Sequence, residues 1–385
     1  MKKIIFFSLL YALTAFSALA QDSTQTIPKL QVSVLTCASG EDIYTVWGHT
    51  AVRVIDSLNG TDIVFNYGTF DFNEPNFLAK FIKGSLLYFV SSNRFNDFIA
   101  EYKFEKREVL EQVLKLSTSE KIKWYEALKV NMIDSNRYYL YNFITDNCTT
   151  RIKDGLFKNT AFQPVGINVP TFRAEVVNAP YENGLPWIGL GIDVLLGAYS
   201  DQKPSDFQAA FLPALFHQQI ANTRRLVTNK NVLVEATQKN NSSPTPFYTL
   251  LALLLIYLFA AKWNSLAMQK LAKVLDITFL LLFSIVGTLM AYMSLISKHT
   301  ACYENYNLMW LHPLYLIALV FYFVRNEAIG KIGMVFFAAV VALIITSHWL
   351  PQHFSKEVGV LIGIALLLNY RLIEKGRSNP LFKKD

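Results

Sequence analysis

Three cysteines and six histidines are the thiols and imidazoles available to this chain for chemistry. Cys148 stands in Asp146-Asn-Cys-Thr-Thr-Arg151, a polar knot that ends the aromatic run Tyr138-Tyr-Leu-Tyr-Asn-Phe143 and restarts as an amphipathic helix. Thr145 and Asp146 are natural N-cap residues, which puts Cys148 in the first helical turn. There the unpaired N–H groups and the helix dipole favour a thiolate. The competing reading is a small core residue beside aromatics. The polar neighbours Asp146, Asn147, Thr149, Thr150 and Arg151 argue against burial in an apolar core.

A thiolate nucleophile needs a base, and the base needs a partner that orients it. His49, in Val46-Trp-Gly-His-Thr-Ala-Val-Arg53, opens a strand next to a glycine that lets backbone approach closely. Its rival reading is a solvated histidine at a strand end. His217, His299, His312, His348 and His353 lie near or in the hydrophobic half, so His49 is the candidate base. Asn66, on the return strand of the same hairpin, can accept the other imidazole N–H. Asp42, Asp62 and Tyr67 compete for that role. Arg151, a turn beyond Cys148, neutralises a phosphate, supports the thiolate, or is an ordinary surface charge. Oxyanion stabilisation falls to the Cys148 backbone N–H and a second donor that the sequence does not identify.

The elements that must position these groups follow from patterning. Residues 31–36, 49–55 and 63–68 alternate as strands, with a hairpin turn at Asn59-Gly60. Residues 77–85 and 93–116 carry helical spacing, with Tyr88-Phe-Val90 as a strand between them. Ser117-Thr-Ser-Glu120 is a capping box that opens a helix to about Met132. Residues 160–190, with Pro164, Pro170, Pro180 and Pro186, read as loop. Trp187-Ile-Gly-Leu-Gly-Ile192 lines a groove or skims a bilayer, and Val232-Leu-Val-Glu235 is a last strand.

Hydrophobic residues make up 52% of the chain and are unevenly spread. Met1-Lys-Lys, the apolar residues after it and Ala18-Leu-Ala20 form a secretory signal cleaved before Gln21. Ser242-Ser-Pro-Thr-Pro246 closes an exported domain at 21–243. Residues 244–385 then carry about five apolar spans, at 247–263, 277–296, 309–324, 332–350 and 358–372. Lys262, Lys270, Lys273, Arg325, Lys331, Arg371, Lys375, Arg377, Lys383 and Lys384 fall on one side of these spans, against Lys298 and Lys356 on the other. That asymmetry puts the basic side in the cytoplasm and accounts for the net charge of +7 without a nucleic-acid partner. The outward loop holding His299, Glu304, Asn305, Asn307 and Trp310 is a candidate contact for a headgroup or lipoprotein. Three cysteines permit one disulfide; Cys37 with Cys302 is one option, two unpaired thiols the other.

The order of a histidine on a strand, a polar residue on the next strand and Asn-Cys at a helix start resembles circularly permuted papain-like enzymes, which include cysteine acyltransferases and cell-wall peptidases. Trp47-Gly-His-Thr-Ala-Val-Arg53, Tyr141-Asn-Phe-Ile-Thr-Asp-Asn-Cys-Thr-Thr-Arg151 and the five-span tail more closely resemble the Bacteroidota lipoprotein N-acyltransferase family, Lnb. The resemblance implies an α+β permuted papain-like periplasmic domain followed by an all-α bundle of about five transmembrane helices in the inner membrane. It implies Cys148 as nucleophile, His49 as base and Asn66 as its partner, with Arg151, His299, Asn305 and Asn307 near substrate. It also implies a phospholipid acyl donor, a diacylated lipoprotein acceptor, and neither cofactor nor metal. The runner-up is a membrane-tethered cysteine peptidase or amidase acting on peptidoglycan, which would use the same thiol and imidazole but would need only one span.

Overall fold

The computed structural model describes residues 29–236, 243–324 and 327–377. The expected signal peptide, Ser242, Arg325, Lys383 and Lys384 lie outside the described residues. An α+β domain comes first and a helical region follows it, as the patterning requires.

The described residues form a seven-stranded antiparallel sheet ordered β6-β4-β3-β2-β1-β5-β7. Its strands are β1 (Leu30–Cys37), β2 (His49–Asp56), β3 (Thr61–Thr69), β4 (Leu87–Arg94), β5 (Val109–Leu114), β6 (Tyr138–Leu140) and β7 (Val227–Val234). Helix α1 (Phe77–Lys83) connects β3 to β4, and α2 (Phe95–Phe104), α3 (Thr118–Asn131) and α4 (Cys148–Asn159) cover the sheet. Val32, Val34, Val52, Val54 and Phe65 pack with Trp124 of α3 and Ile152 and Leu156 of α4. Leu35, Ala51 and Val64, of opposite parity, pack with Phe98, Ile99 and Tyr102 of α2. A strand covered on both faces is apolar at successive positions, which is why β1 to β3 carry so few exposed polar side chains. The hairpin turn falls at Gly60, where φ is +63° and a side chain would be strained.

Two stretches differ from their sequence reading. The helix expected over 93–116 stops at Phe104; Lys106 takes a φ of 56°, and the chain returns as β5. Both faces of β5 are buried, including Glu111 and Gln112, so its spacing passes for helical. The stretch read as loop contains α5 (Phe172–Glu182) and α6 (Pro186–Leu195). Pro186 stands at the start of α6, where a missing N–H costs nothing, and Pro180 falls in the last turn of α5. Helix α7 (Pro213–Asn222) then leads to β7.

The C-terminal region is α8 (Pro246–Lys262), α9 (Leu266–Leu295), α10 (Tyr315–Val324), α11 (Glu327–Thr346) and α12 (Lys356–Arg377). Helices α9 and α11 are long and apolar enough to cross a membrane; α8 and α10 are shorter apolar helices. Helix α9 begins before the expected span because Gln269, Lys270 and Lys273 extend it as good helix formers. Close packing comes from small residues: a Cβ on Gly330 of α11 would sit 3.1 Å from the Gly376 Cα of α12. Asp276 accepts from Tyr322 Oη at 2.8 Å and from Arg371 Nε at 2.7 Å, tying α9, α10 and α12 with a pair that lipid could not solvate. Leu190 and Val194 of α6 belong to this same core, so α6 joins the two regions.

Candidate active site

Cys148 is the first residue of α4, as the polar knot suggests, but the cap is Asn147 rather than Thr145 or Asp146. Asn147 Oδ1 accepts from Thr149 N at 2.8 Å and Thr150 N at 2.9 Å, and Thr150 Oγ1 accepts from Asn147 N at 2.7 Å. Asn147 Nδ2 donates to the carbonyls of Phe143 and Phe211, at 2.6 and 2.9 Å. Asp146 cannot cap because its carboxylate is held by Arg151, with Nη2 to Oδ2 at 2.7 Å. These polar groups satisfy one another, so Cys148 is buried, only 8% exposed, contrary to the expectation from its neighbours.

His49 begins β2, and the glycine before it is required: Gly48 has a φ of +77°, and a Cβ there would meet the Cys37 carbonyl oxygen at 2.4 Å. Asn66 lies opposite Ala51 on β3, diagonal to His49, and the two side chains meet with His49 Nε2 to Asn66 Oδ1 at 3.2 Å. The orientation of the amide follows from its other end, because Asn66 Nδ2 donates to Asn93 Oδ1 at 3.0 Å. Asn66 therefore presents a carbonyl oxygen and His49 donates to it, leaving Nδ1 as the nitrogen that can take a thiol proton. Asn93 was not legible beforehand, because it joins the site only through the β3–β4 pairing.

The thiol and imidazole lie close enough for each to favour the charged form of the other. Burial alone would push the Cys148 thiol up. The imidazolium charge and hydrogen bond of His49, the Thr50 N–H and the Thr149 hydroxyl outweigh it and hold the thiol below the ordinary range. Burial disfavours the His49 cation, but the Cys148 charge and hydrogen bond, followed by Asn66, raise the group above an ordinary histidine. Thr149 is fixed in turn by Thr50, with the two hydroxyl oxygens 2.9 Å apart. At the other thiols burial wins: it pushes Cys37 and Cys302 up to about 12 despite Tyr102 and Arg107 beside the first and Arg173 beside the second. All three cysteines are free, so Cys37 and Cys302 are the two unpaired thiols. Iodoacetamide should therefore alkylate Cys148 with a pH midpoint below that of an ordinary thiol, and His49→Ala should move the midpoint upward. An unchanged midpoint, followed by mass spectrometry of the Cys148 peptide, would break the proposed coupling.

The structure brings Cys148, His49 and Asn66 together; the other expected residues have different neighbours. The Arg151 guanidinium pairs with Asp146 and lies 3.8 Å from the Tyr139 ring centroid. A His299 ring nitrogen bonds the Phe81 carbonyl at 2.8 Å. Asn305 Nδ2 and Asn307 Nδ2 donate to the Val194 carbonyl at 2.9 and 3.0 Å, and both residues are buried. Asn142, missed in the sequence, links this loop to the site. Its Oδ1 accepts from Ile144 N and Thr145 N just before Cys148, while its Nδ2 donates to Thr300 Oγ1 at 3.0 Å.

An α+β domain with a buried thiol at a helix start beside a half-buried imidazole, joined to an apolar helical bundle, defines the class. Residues 19–171 match the family model described as the Lnb N-terminal periplasmic domain, and residues 237–375 match the one described as the Lnb transmembrane domain. The chain belongs to the Lnb family, which is associated with lipoprotein-modifying enzymes. Neither the comparison with curated proteins nor that with solved structures returns a match.

Proposed function

We propose that this protein is a lipoprotein N-acyltransferase of the inner membrane. In this reading residues 21–243 are a permuted papain-like catalytic domain in the periplasm, and α8 to α12 are five membrane crossings with the basic side in the cytoplasm. The observation that carries the proposal is the Cys148–His49–Asn66 arrangement on a domain that the family comparison pairs with a transmembrane domain.

The Cys148 thiolate attacks the carbonyl carbon of a phospholipid acyl ester. The carbonyl oxygen takes the negative charge, facing the Cys148 N–H, which as the first N–H of the helix has no intrahelical acceptor. Collapse breaks the ester C–O bond; His49 gives its proton to the departing oxygen, and lysophospholipid leaves a thioester on Cys148. The α-amine of a diacylated lipoprotein's N-terminal cysteine then attacks the thioester. His49 takes the amine proton, the C–S bond breaks, and an amide forms as the thiolate returns. Asn66 keeps the imidazole turned towards sulfur through both steps.

Protein reconstituted with phospholipid and a diacyl lipopeptide should yield lipopeptide heavier by one acyl group at its α-amine, with equimolar lysophospholipid. Lipopeptide left unchanged while muropeptides are cleaved would overturn the proposal in favour of a peptidase.

A further inference from the structure

Large apolar side chains normally leave the surface of a domain, or mark an interface when they remain on it. Around α1 they remain: Tyr44, Phe72, Leu78 and Phe81 are 54%, 60%, 66% and 46% exposed. The rings are contiguous, since the centroids of Tyr44 and Phe72 are 5.8 Å apart, those of Phe72 and Phe77 5.3 Å, and those of Phe77 and Phe81 6.4 Å, and Leu78 follows Phe77 on the same helix. Lys83 and Lys80, whose amine pairs with Glu74 Oε1 at 2.7 Å, stand on the same short helix, the composition of a segment that lies in a headgroup layer with its polar groups at the water side.

The position of this patch identifies what covers it. Lys298 N donates to the Lys83 carbonyl at 3.0 Å, and His299 bonds the Phe81 carbonyl, so α1 is fastened to the loop that leaves the end of α9. Immediately before that loop, Leu295 and Ile296 are 75% and 64% exposed. The apolar surface of α9 thus continues onto α1. Inward, the rings lead to the thiol: Phe70 meets Phe72 at 4.7 Å and Tyr88 at 5.2 Å, and Tyr88 stacks on Tyr141 at 4.5 Å. A Cβ added to Gly68 would lie 3.7 Å from Tyr141 and 3.5 Å from the Cys148 Cβ, so Tyr141 and the nucleophile flank the same bare backbone.

We propose that α1 and its aromatic neighbours sit in the outer leaflet and that one acyl chain of a phospholipid passes along Phe72, Phe70, Tyr88 and Tyr141 to reach Cys148. The route rests on the donor assigned above, while the lipid contact does not.

The test uses the full-length Cys148→Ala protein in phosphatidylethanolamine nanodiscs that contain a phospholipid with a diazirine in its acyl chain. Photolysis should label the peptide spanning 70–83 as well as the membrane helices. The double variant Phe72→Ser, Leu78→Asp should lose about tenfold of that label, well within what two apolar side chains contribute on burial. Both side chains are exposed, so its melting temperature should stay within about 2 °C of the parent, which separates lost contact from misfolding. Introduced into the otherwise wild-type chain, the same pair should slow acyl-adduct formation on Cys148 from phospholipid by about tenfold. Label confined to α9 to α12 would overturn the leaflet contact, and an adduct rate unchanged in the double variant would overturn the route. Labelling at 70–83 by a protein that never carries an acyl adduct would sink the donor assignment while leaving the contact standing.

Discussion

His49→Ala is expected to slow acyl-adduct formation on Cys148 by about 10²- to 10⁴-fold, the range over which a positioned base contributes. Cys148→Ala is expected to abolish the adduct, and Asn66→Ala to cost about tenfold, because it removes orientation rather than the proton carrier. The ordering follows from the contacts. In the proposed mechanism His49 accepts the thiol proton, and it also supplies the charge that opposes burial of the thiolate. Without it, only the Thr50 N–H and the Thr149 hydroxyl oppose desolvation of a residue that is 8% exposed, and the thiol moves up towards Cys37 and Cys302. Asn66 acts at one remove, holding Nε2 at 3.2 Å while Asn93 holds Asn66. Single-turnover mass spectrometry of the Cys148 peptide with phospholipid as donor measures all three. Equal losses for Asn66→Ala and His49→Ala would contradict a purely orienting role for the asparagine. Asn66→Asp supplies a further check: a carboxylate at that position should raise the His49 midpoint in an alkylation pH profile, which a merely structural asparagine would not do.

What could be read from the sequence was whatever depended on near neighbours. The Asn59-Gly60 turn, the Ser117–Glu120 capping box and the helix start at Cys148 need only a few residues of context, and each stands where it was expected. The cap itself was misassigned by one or two positions because Asp146 is drawn off by Arg151, a choice among equally good cap residues that local rules do not make. Burial of Cys148 was misjudged for a related reason. Asn147, Thr149 and Thr150 look solvated in sequence, yet their partners are Phe211, Thr50 and one another. Asn93 and Asn142 could not be reached at all, since the first enters through the register of β3 with β4 and the second through a bond to Thr300, far along the chain. Asn305 and Asn307 show the converse, for polar residues in an outward loop suggest a ligand when read alone and meet the carbonyl of Val194 in the fold.

Arg173→Met is expected to destabilise the protein by about 3–5 kcal/mol, the cost of stripping one partner from a buried ion pair. Arg173 is 3% exposed and uses its whole fork within the chain. Nε donates to Asp201 Oδ1 at 2.9 Å, Nη1 to Asp193 Oδ1 at 2.7 Å, and Nη2 to the Leu196 and Gly197 carbonyls at 2.9 and 3.1 Å. The cation thus sits at the C-terminus of α6, where the helix dipole favours it, and holds the turn that follows. That turn meets the 297–310 loop edge to edge: Gly197 N donates to the Ala301 carbonyl at 2.9 Å and Ala198 N to the Glu304 carbonyl at 3.1 Å. The fit is close enough that a Cβ on Gly197 would fall 1.8 Å from the Tyr303 carbonyl oxygen. From Ala301 the chain is one residue from Thr300, which receives the Asn142 amide and thereby touches the turn that delivers Cys148. Loss of Arg173 should therefore loosen the α6 turn, the loop and the approach to Cys148 together. Arg173→Lys should not restore stability, because one ammonium cannot replace a planar fork that serves two carboxylates and the carbonyls of Asp193, Leu196 and Gly197. Thermal unfolding in detergent, with limited proteolysis mapped at 196–201 and 300–304, tests this. An Arg173→Met protein that melts with the wild type, or a lysine that restores it fully, would show that this buried cation does not fasten the α+β domain to the loop.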